Sequence, residues 1–282
     1  MARRYIHEDP TSRLAVWARR MAAFAFVASF LAVIIVRSGL LEIQPALATF
    51  GGALLIAVIA LLMSFAAFGV IWMQGLAGMG AALTAMLVSL ALLAYPAYLS
   101  IRAYRLPWIY DITTDPIDPP RYEALGRLRP RDANPVNYAG LYSAEQQRIA
   151  YPDIGPLGTS ASPQNSYDAA LAVVNKRRWR VVDARSPQVG RREGHIEAVA
   201  RTPIMGFRDD VVIRVRADTD GSRIDARSSS RYGTFDFGTN AARIRSLIDE
   251  IEEAIVTQKQ PRQPAAPPVK KDVKKKRDQP KR

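Results

Sequence analysis

Apolar residues fill three long runs in the first hundred positions, at residues 21–36, 46–73 and 76–99, none of which contains a charge. Side chains that are apolar at every helical azimuth cannot all face a soluble core, so hydrocarbon is their expected solvent. The third run has 24 residues, and as a helix it would extend about 36 Å. That length exceeds a hydrocarbon core of about 30 Å. The pattern predicts three transmembrane helices, at residues 21–41, 46–73 and 76–99.

The first run is the shortest of the three, with 16 residues between Arg20 and Arg37. Flanking arginines can lengthen it by extending their charged ends to the interface, and we predict that it spans. The alternative is a helix lying in the membrane surface. The second and third runs are separated only by Gln74 and Gly75, which predicts a tight antiparallel hairpin.

Basic residues are concentrated before the first run, and the short loops after it hold few. The positive-inside tendency therefore places the N-terminus, residues 1–20, in the cytoplasm. Three spans would put residues 100–282 in the periplasm of a Gram-negative inner membrane, whereas two spans would leave them in the cytoplasm.

Residues 101–164 are rich in proline and lack a clear hydrophobic period. This composition predicts an extended strap with room for one short helix near residues 144–149. Three carboxylates in the strap, on Asp111, Asp115 and Asp118, could bind a hard cation. Their spacing lacks the glycine and ligand pattern of a calcium loop, so we favour turns in which Asp and Thr bond to the local backbone.

A regular pattern begins near residue 165 and predicts a soluble α+β domain over residues 165–256. Ser166 can cap a helix whose apolar residues recur at helical spacing, and a second amphipathic helix is predicted over residues 239–256. Between them, alternation with period two predicts strands. The expected fold is an antiparallel four-stranded sheet with two helices on one face. Its strands are predicted at residues 180–184, 194–202, 211–218 and 222–228.

The net charge of +13 is carried mainly by the chain ends. Residues 257–282 carry net +8, residues 1–20 carry net +3, and the remaining 236 residues carry only +2. This distribution predicts a disordered basic tail at residues 257–282, suited to contact with anionic surfaces. A nucleic-acid partner is not expected.

Candidate chemistry is limited by residue content. The chain has no cysteine and two histidines, which excludes thiol chemistry and makes metal sites and histidine-based acid–base catalysis unlikely candidates. His195 is expected on the surface, adjoining Glu197 in a strand. No cofactor and no metal are predicted.

Several polar residues are candidates for contact with a ligand or partner. Those on the polar face of the sheet, such as Arg214 and Arg227, could form a solvated lattice of ion pairs or an anion-binding surface. The loop at residues 203–210 could fold back on the core or form a contact patch. The start of the last helix could hold an anion or simply be capped. The candidate binding residues are Phe207, Arg208, Asp209, Asp210, Arg214, Arg227, Arg231 and Asn240.

Three blocks carry a resemblance to a known family: GFRDDVVIRVR at residues 206–216, SRIDARS at residues 222–228 and GTNAARI at residues 238–244. The chain resembles the bacterial domain-of-unknown-function 1499 family over roughly residues 130–255, and residues 111–120 are similar to its membrane-linked members. Many relatives carry an Asn-Cys-Val-Ser-like segment. This chain has no cysteine, so no role of that segment transfers to it. The resemblance implies a bacterial envelope setting and no particular activity.

The favoured interpretation is a membrane-anchored envelope protein that acts as a non-enzymatic module for binding a partner or ligand. One alternative is a hydrolase or transferase that uses Asp209 and Asp210 with nearby arginines. Another is a structural subunit of a membrane complex. The expected partners are the lipid bilayer and either another envelope protein or an anionic ligand.

Overall fold

The computed structural model describes residues 10–39, 43–188 and 193–259. The predictions for the basic tail from residue 260 onward, for residues 1–9 and for residues 40–41 lie outside the described residues. Three long helices come first: α1 (Arg13–Ser38), α2 (Ile43–Gln74) and α3 (Met79–Ala103). All three are long and apolar enough to cross a membrane. The tight turn between α2 and α3, expected from Gln74 and Gly75, is present.

The helix bundle has small residues inside and large apolar residues outside. Alanines of α1 such as Ala18 and Ala22 are buried against Ala60 of α2 and Ala85 of α3. Large side chains such as Phe24, at 61% exposure, lie on the outer surface. A soluble bundle buries its large residues, whereas membrane helices approach closely through small ones and leave large ones to the lipid. The packing therefore supports the hydrocarbon environment inferred from composition.

Helix α1 begins eight residues earlier than the predicted span. Its N-cap is Ser12, whose side chain accepts a hydrogen bond from the backbone N–H of Ala15. The arginines at positions 13, 19 and 20 lie within the helix rather than before it. The helix is thus longer than the apolar run, as expected where long basic side chains at its ends can reach water.

The soluble domain is an antiparallel sheet of six strands, not the four predicted. The two additional strands, β1 (Asp111–Thr113) and β2 (Leu157–Thr159), both pair with β6. Each has three residues and lies in the proline-rich strap, so neither is long enough to show a period. The four longer strands are β3 (Arg180–Arg185), β4 (Glu193–Arg201), β5 (Arg208–Asp218) and β6 (Gly221–Ser230).

Two helices cover one face of the sheet. Helix α6 (Pro163–Lys176) and helix α7 (Thr239–Lys259) share a hydrophobic core with the inward residues of the strands, including Ile213 and Ile224. The N-cap of α6 is Ser162 rather than Ser166, because Pro163 occupies the first turn and needs no N–H partner. Two shorter helices, α4 (Ala124–Leu128) and α5 (Gly140–Ala150), lie in the strap, α5 near the helix anticipated at residues 144–149.

The strap covers the other face, which the alternation predicted to be solvated. Tyr122 and Leu125 of the strap are buried against Val199 and Val212. Asp115 does form the expected turn, since its Oδ1 accepts the N–H groups of the residues two and three positions later. Several polar residues of this sheet face, among them Glu197, Asp225 and Arg227, are consequently buried under the strap rather than in water.

The domain sits at one end of the helix bundle. At the end of the bundle far from the domain, the backbone N–H of Ser12 donates to the carbonyl of Ala77 in the α2–α3 turn and so joins the start of α1 to that turn. At the near end, Arg37 Nη1 donates hydrogen bonds to the carbonyls of Pro203 and Ile204, at 2.6 and 2.9 Å. The loop between β4 and β5 therefore packs on the C-terminal end of α1.

Candidate functional site

Asp209 and Asp210 are both buried and engaged by arginines. Asp209 accepts a hydrogen bond from Arg243 of α7 at 2.5 Å. Asp210 accepts hydrogen bonds from Arg129 of the strap at 2.9 Å and from Arg231 at 2.7 and 2.9 Å. The two carboxylates lie on opposite faces of β5, as consecutive strand residues must. They cannot act together on one bond.

Arg227 and Arg214, candidates for an anion-binding sheet face, are buried in ion pairs beneath the strap. Arg227 is 2% exposed and binds both carboxylate oxygens of Asp111. Its remaining N–H groups donate to the carbonyls of Pro120 and Val136. Arg214 bonds to Asp118 at 3.0 Å and to Asp225 at 3.1 Å. Both guanidinium groups are engaged by carboxylates of the protein itself, so we interpret the lattice as structural.

Asn240 belongs to a closed network at the start of α7. Its side chain donates to the Tyr110 carbonyl and to Ser230 Oγ, both at 2.9 Å. The helix N–H groups expected to hold an anion are taken by Asp236, which accepts from Gly238 N and Asn240 N. Capping by a side chain replaces an external anion here.

A group of three residues, Asp183, His195 and Glu197, has ligand-type atoms within 4.8 Å of one another. His195 Nε2 lies 2.8 Å from Glu197 Oε1, so this histidine is a partner of a buried carboxylate rather than a free surface residue. The Glu197 oxygens also accept three backbone N–H groups at the start of α4, with donors from 2.6 to 3.1 Å. Burial alone would raise the pKa of Glu197, but the hydrogen bonds outweigh it and the pKa is lowered. Its oxygens are thus committed to holding the strap.

One cavity has a different character, and we call it the arginine cavity. It has a volume of about 440 Å³ and lies where α6, β3, β4 and β5 meet. None of its lining residues is acidic. Arg177 stacks over Trp179 with its guanidinium carbon 5.1 Å from the ring centre. The lining consists of Arg177, Arg178, Trp179, Arg180, Val199, Arg201 and Arg208.

Four of the five arginines in this cavity lack an acidic partner. Arg177 donates to Glu250 at 2.9 Å. Within the described part of the chain, no carboxylate oxygen lies within 4 Å of a guanidinium nitrogen of Arg178, Arg180, Arg201 or Arg208. The other arginines of the described strands are all paired with carboxylates, so the unpaired positive charge of the sheet lies at this cavity.

The pKa of Arg208 is lowered by this arrangement of positive charges. Burial lowers the pKa of its guanidinium, and repulsion from Arg201, Arg231 and Arg180 lowers it further. Like charges held together without a counter-ion raise the free energy of the folded protein. A bound anion would relieve that repulsion, and guanidinium groups match the oxygens of phosphates and carboxylates.

The arginine cavity borders the membrane end of α1. Arg201 Nη1 donates to the Arg37 carbonyl at 3.4 Å. Gly39, which ends α1 in the left-handed region at φ 68°, packs so closely on Arg208 that a Cβ there would overlap the guanidinium. The cationic lining therefore lies at the depth where α1 leaves the bundle.

A second cavity of about 340 Å³ shares Arg208 with the first, and we call it the groove. Its apolar wall includes Val36 of α1, Ile43 of α2 and Phe207 of the β4–β5 loop. Arg231 also lines it, although its guanidinium is bonded to Asp210. Phe207 thus lies beside the ends of α1 and α2 of the same chain.

Of the eight candidate residues, the structure brings Phe207, Arg208 and Arg231 together at the groove. Of the other cavity arginines, Arg201 belongs to the polar sheet face that alternation predicted, whereas Arg177, Arg178 and Arg180 were not anticipated. These three lie in the RRWR run at residues 177–180. That run is a signal the sequence offers, whereas its proximity to Arg208 depends on the pairing of β3, β4 and β5.

The fold and this site define a protein with three apolar helices, each long enough to cross a membrane, and an α+β domain with an arginine-lined cavity beside the helix bundle. The chain belongs to the family described as "Protein of unknown function (DUF1499)", whose model matches residues 111–251. That match begins at β1, so the strap is part of the family domain. Comparisons with curated proteins and with solved structures gave no significant match.

Proposed function

We propose that this protein is a membrane-anchored, non-enzymatic module whose soluble domain binds an anionic ligand in the arginine cavity. The observation that carries the proposal is the set of arginines without carboxylate partners around one concave surface. Binding pockets combine a concave shape with a few convergent polar groups. Here the convergent groups all have the same sign, which selects an anion.

The energetics favour an anion with several acceptor oxygens. Each charge-assisted hydrogen bond contributes about 1.5–3 kcal/mol, and planar guanidinium groups bind paired oxygens with two parallel bonds. Trp179 and Val199 supply apolar surface at the base of the cavity. Partial exclusion of water there strengthens each contact.

The proposed setting is a bacterial inner membrane with a cytoplasmic N-terminus and a periplasmic domain. It is supported by three helices that are long enough to span. With three spans, the ends of the bundle marked by Ser12 and by Arg37 lie on opposite sides. The arginines before α1 favour the cytoplasm for the first of these ends.

The hydrolase or transferase alternative receives no support from Asp209 and Asp210. Their carboxylates lie on opposite faces of one strand and each is neutralised by arginine. Asp209 has a pKa raised by burial, against the opposing effect of Arg243, and it is only 2% exposed. A general base needs access to the proton that it removes.

The test is calorimetric titration of inorganic pyrophosphate into the full chain in neutral detergent micelles. Arg201→Gln/Arg208→Gln should weaken binding about tenfold or more, since each variant removes charged contacts. The matched control is Arg127→Gln/Arg148→Gln, which removes two exposed arginines outside the cavity. Equal weakening by both double variants would attribute binding to net charge and overturn the proposal, as would an absence of any pyrophosphate binding.

A further inference from the structure

The arginine cavity and the groove are joined through one side chain. Arg208 lines both, with the other arginines, Trp179 and Val199 on one side and the ends of α1 and α2 on the other. The cavity volumes are about 440 and 340 Å³. A ligand that filled both would need a compact anionic part and an apolar part in adjacent positions.

The apolar side of this pair begins at the bundle. Val36 lies in the last turns of α1, Ile43 is the first residue of α2, and Phe207 reaches them from the β4–β5 loop. The outer surfaces of these helices carry large exposed apolar side chains, such as Leu55 at 62% exposure. If those surfaces contact acyl chains, the groove is where such chains meet the domain.

The cationic side stands at the level of the lipid headgroups. Arg37 lies at the C-terminal end of α1, and basic side chains prefer the polar interface to the hydrocarbon. Arg201 bonds to the Arg37 carbonyl, and the Arg208 guanidinium packs on Gly39, two residues further along the chain. The unpaired arginines are thus placed where lipid phosphates lie.

We propose that the ligand of the arginine cavity is an anionic phospholipid, bound with its phosphate between Arg201 and Arg208 and its acyl chains directed along the groove. This proposal rests on the proposed function and names the ligand class of the same site. A phosphodiester offers two non-bridging oxygens to the guanidinium forks. The acyl chains would contact Val36, Ile43 and Phe207 and would gain from leaving water.

The surrounding charges fit one lipid of low charge rather than a long polyanion. Asp132 lines the groove beside Tyr232, so negative potential borders the apolar side. Glu250 and Ser246 hold Arg177 at the far edge of the arginine cavity. The uncompensated charge is therefore confined to the stretch from Arg178 to Arg208.

The experiment titrates three probes into the full chain in neutral detergent micelles: dioctanoyl phosphatidylglycerol, dioctanoyl phosphatidylcholine and glycerol phosphate. Four forms are compared: the natural chain, Arg201→Gln/Arg208→Gln, the groove variant Ile43→Ser/Phe207→Ser, and the control Arg127→Gln/Arg148→Gln. Because Arg180 and Arg201 are both exposed, Arg180→Gln/Arg201→Gln serves as a second cavity variant should the first fail to fold.

For the natural chain, phosphatidylglycerol should bind about tenfold tighter than either other probe. Both cavity variants should lose that preference. The groove variant should weaken phosphatidylglycerol binding several-fold while leaving glycerol phosphate binding unchanged, and the control should match the natural chain.

Two results would overturn the lipid proposal and leave the proposed function standing. In the first, glycerol phosphate binds as tightly as phosphatidylglycerol, and its binding depends on the same arginines. In the second, the groove variant binds all three probes as the natural chain does. A phosphatidylglycerol preference that survives both cavity variants would place lipid elsewhere on the molecule and overturn the inference. If neither phosphate probes nor lipid depend on the cavity arginines, both proposals fail together.

Discussion

Arg227 and Asp111 form a buried ion pair that joins the middle of β6 to β1, with Nε–Oδ1 at 2.9 Å and Nη2–Oδ2 at 2.6 Å. Two aromatic rings flank the guanidinium, since its central carbon lies 4.7 Å from the ring centre of Tyr122 and 5.5 Å from that of Tyr138. The family match begins at Asp111 itself. This pair fastens the strap over the face of the sheet that alternation had assigned to solvent.

Removing one partner of this pair should destabilise the domain strongly. Asp111→Ala leaves the Arg227 charge buried without a counter-ion, which costs about 3–5 kcal/mol of unfolding free energy. Urea denaturation of the full chain in detergent, followed by tryptophan fluorescence, measures the loss. Asp111→Ala/Arg227→Met should be less harmful than the sum of the single changes, because it removes both charges.

The exposed pair of Glu145 and Arg148 provides the comparison for that experiment. Glu145→Ala should leave the urea midpoint unchanged, since an exposed pair is screened by water. If Asp111→Ala behaved like Glu145→Ala, the buried pair would not be what holds the strap.

Stability should depend on pH through Glu197. Its pKa is lowered in the folded protein, so its contribution is present above the ordinary pKa of glutamate, about 4.3. That contribution is lost as pH falls through the lower folded pKa. Glu197→Gln should therefore be less stable than the natural chain near pH 7, and the difference should shrink towards pH 3. Urea midpoints measured across this range check the effect, and a difference that stayed constant with pH would contradict it.

Arg178 has a backbone conformation that is unfavourable for a residue with a side chain. Its φ of 55° lies in the left-handed region, at the turn between α6 and β3. A non-glycine residue there costs roughly 1 kcal/mol. Arg178→Gly should therefore stabilise the domain by up to about 1 kcal/mol while weakening pyrophosphate binding. Arg178→Ala should weaken binding equally without the stabilisation. Unchanged binding in both variants would remove Arg178 from the anion site.

The proposed topology can be tested on the natural cysteine-free background. Gln74, the last residue of α2, and Ala139, in the strap, are both exposed, and each can be replaced by a single cysteine. In intact cells a membrane-impermeant maleimide should label Ala139→Cys and not Gln74→Cys. Permeabilisation should make both reactive. Labelling of Gln74→Cys alone would invert the orientation, and equal labelling of both would contradict three spans.

Some of this architecture could be predicted from local pattern alone. Residues 211–218 alternate between apolar and polar because one face of β5 packs in the core beneath α6 and α7. The run at residues 76–99 is apolar on all sides, as expected of a helix surrounded by lipid. Strands β1 and β2 could not be predicted, since three residues in a proline-rich strap become a strand only by pairing with β6. The prediction that the polar face of the sheet contacts water failed for a related reason. Alternation gives the same pattern whether charged residues meet water or, as with Arg214 and Asp225, meet one another under a covering segment.

The candidate site also contains residues that the sequence pattern indicated and residues that only the folded chain brings to it. Phe207 and Arg208 stood out because a loop between strands combined an apolar and a charged residue. Arg180 did not, because neighbouring strands bring it near Arg201 and Arg208 only in the folded sheet. The paired acids Asp209 and Asp210 looked functional in the sequence. Their arginine partners come from α7 and from the strap, positions that no local pattern connects to β5.

The most direct test of the central claim, that unpaired arginines beside the membrane hold an anionic lipid, is hydrogen–deuterium exchange of the full chain in lipid nanodiscs. Discs of phosphatidylcholine alone are compared with discs that also contain phosphatidylglycerol. The account predicts slower exchange in the anionic discs for peptides covering residues 177–181 and 201–208, and no change in residues 221–230 of β6. Identical exchange of the arginine-bearing peptides in both kinds of disc would contradict it.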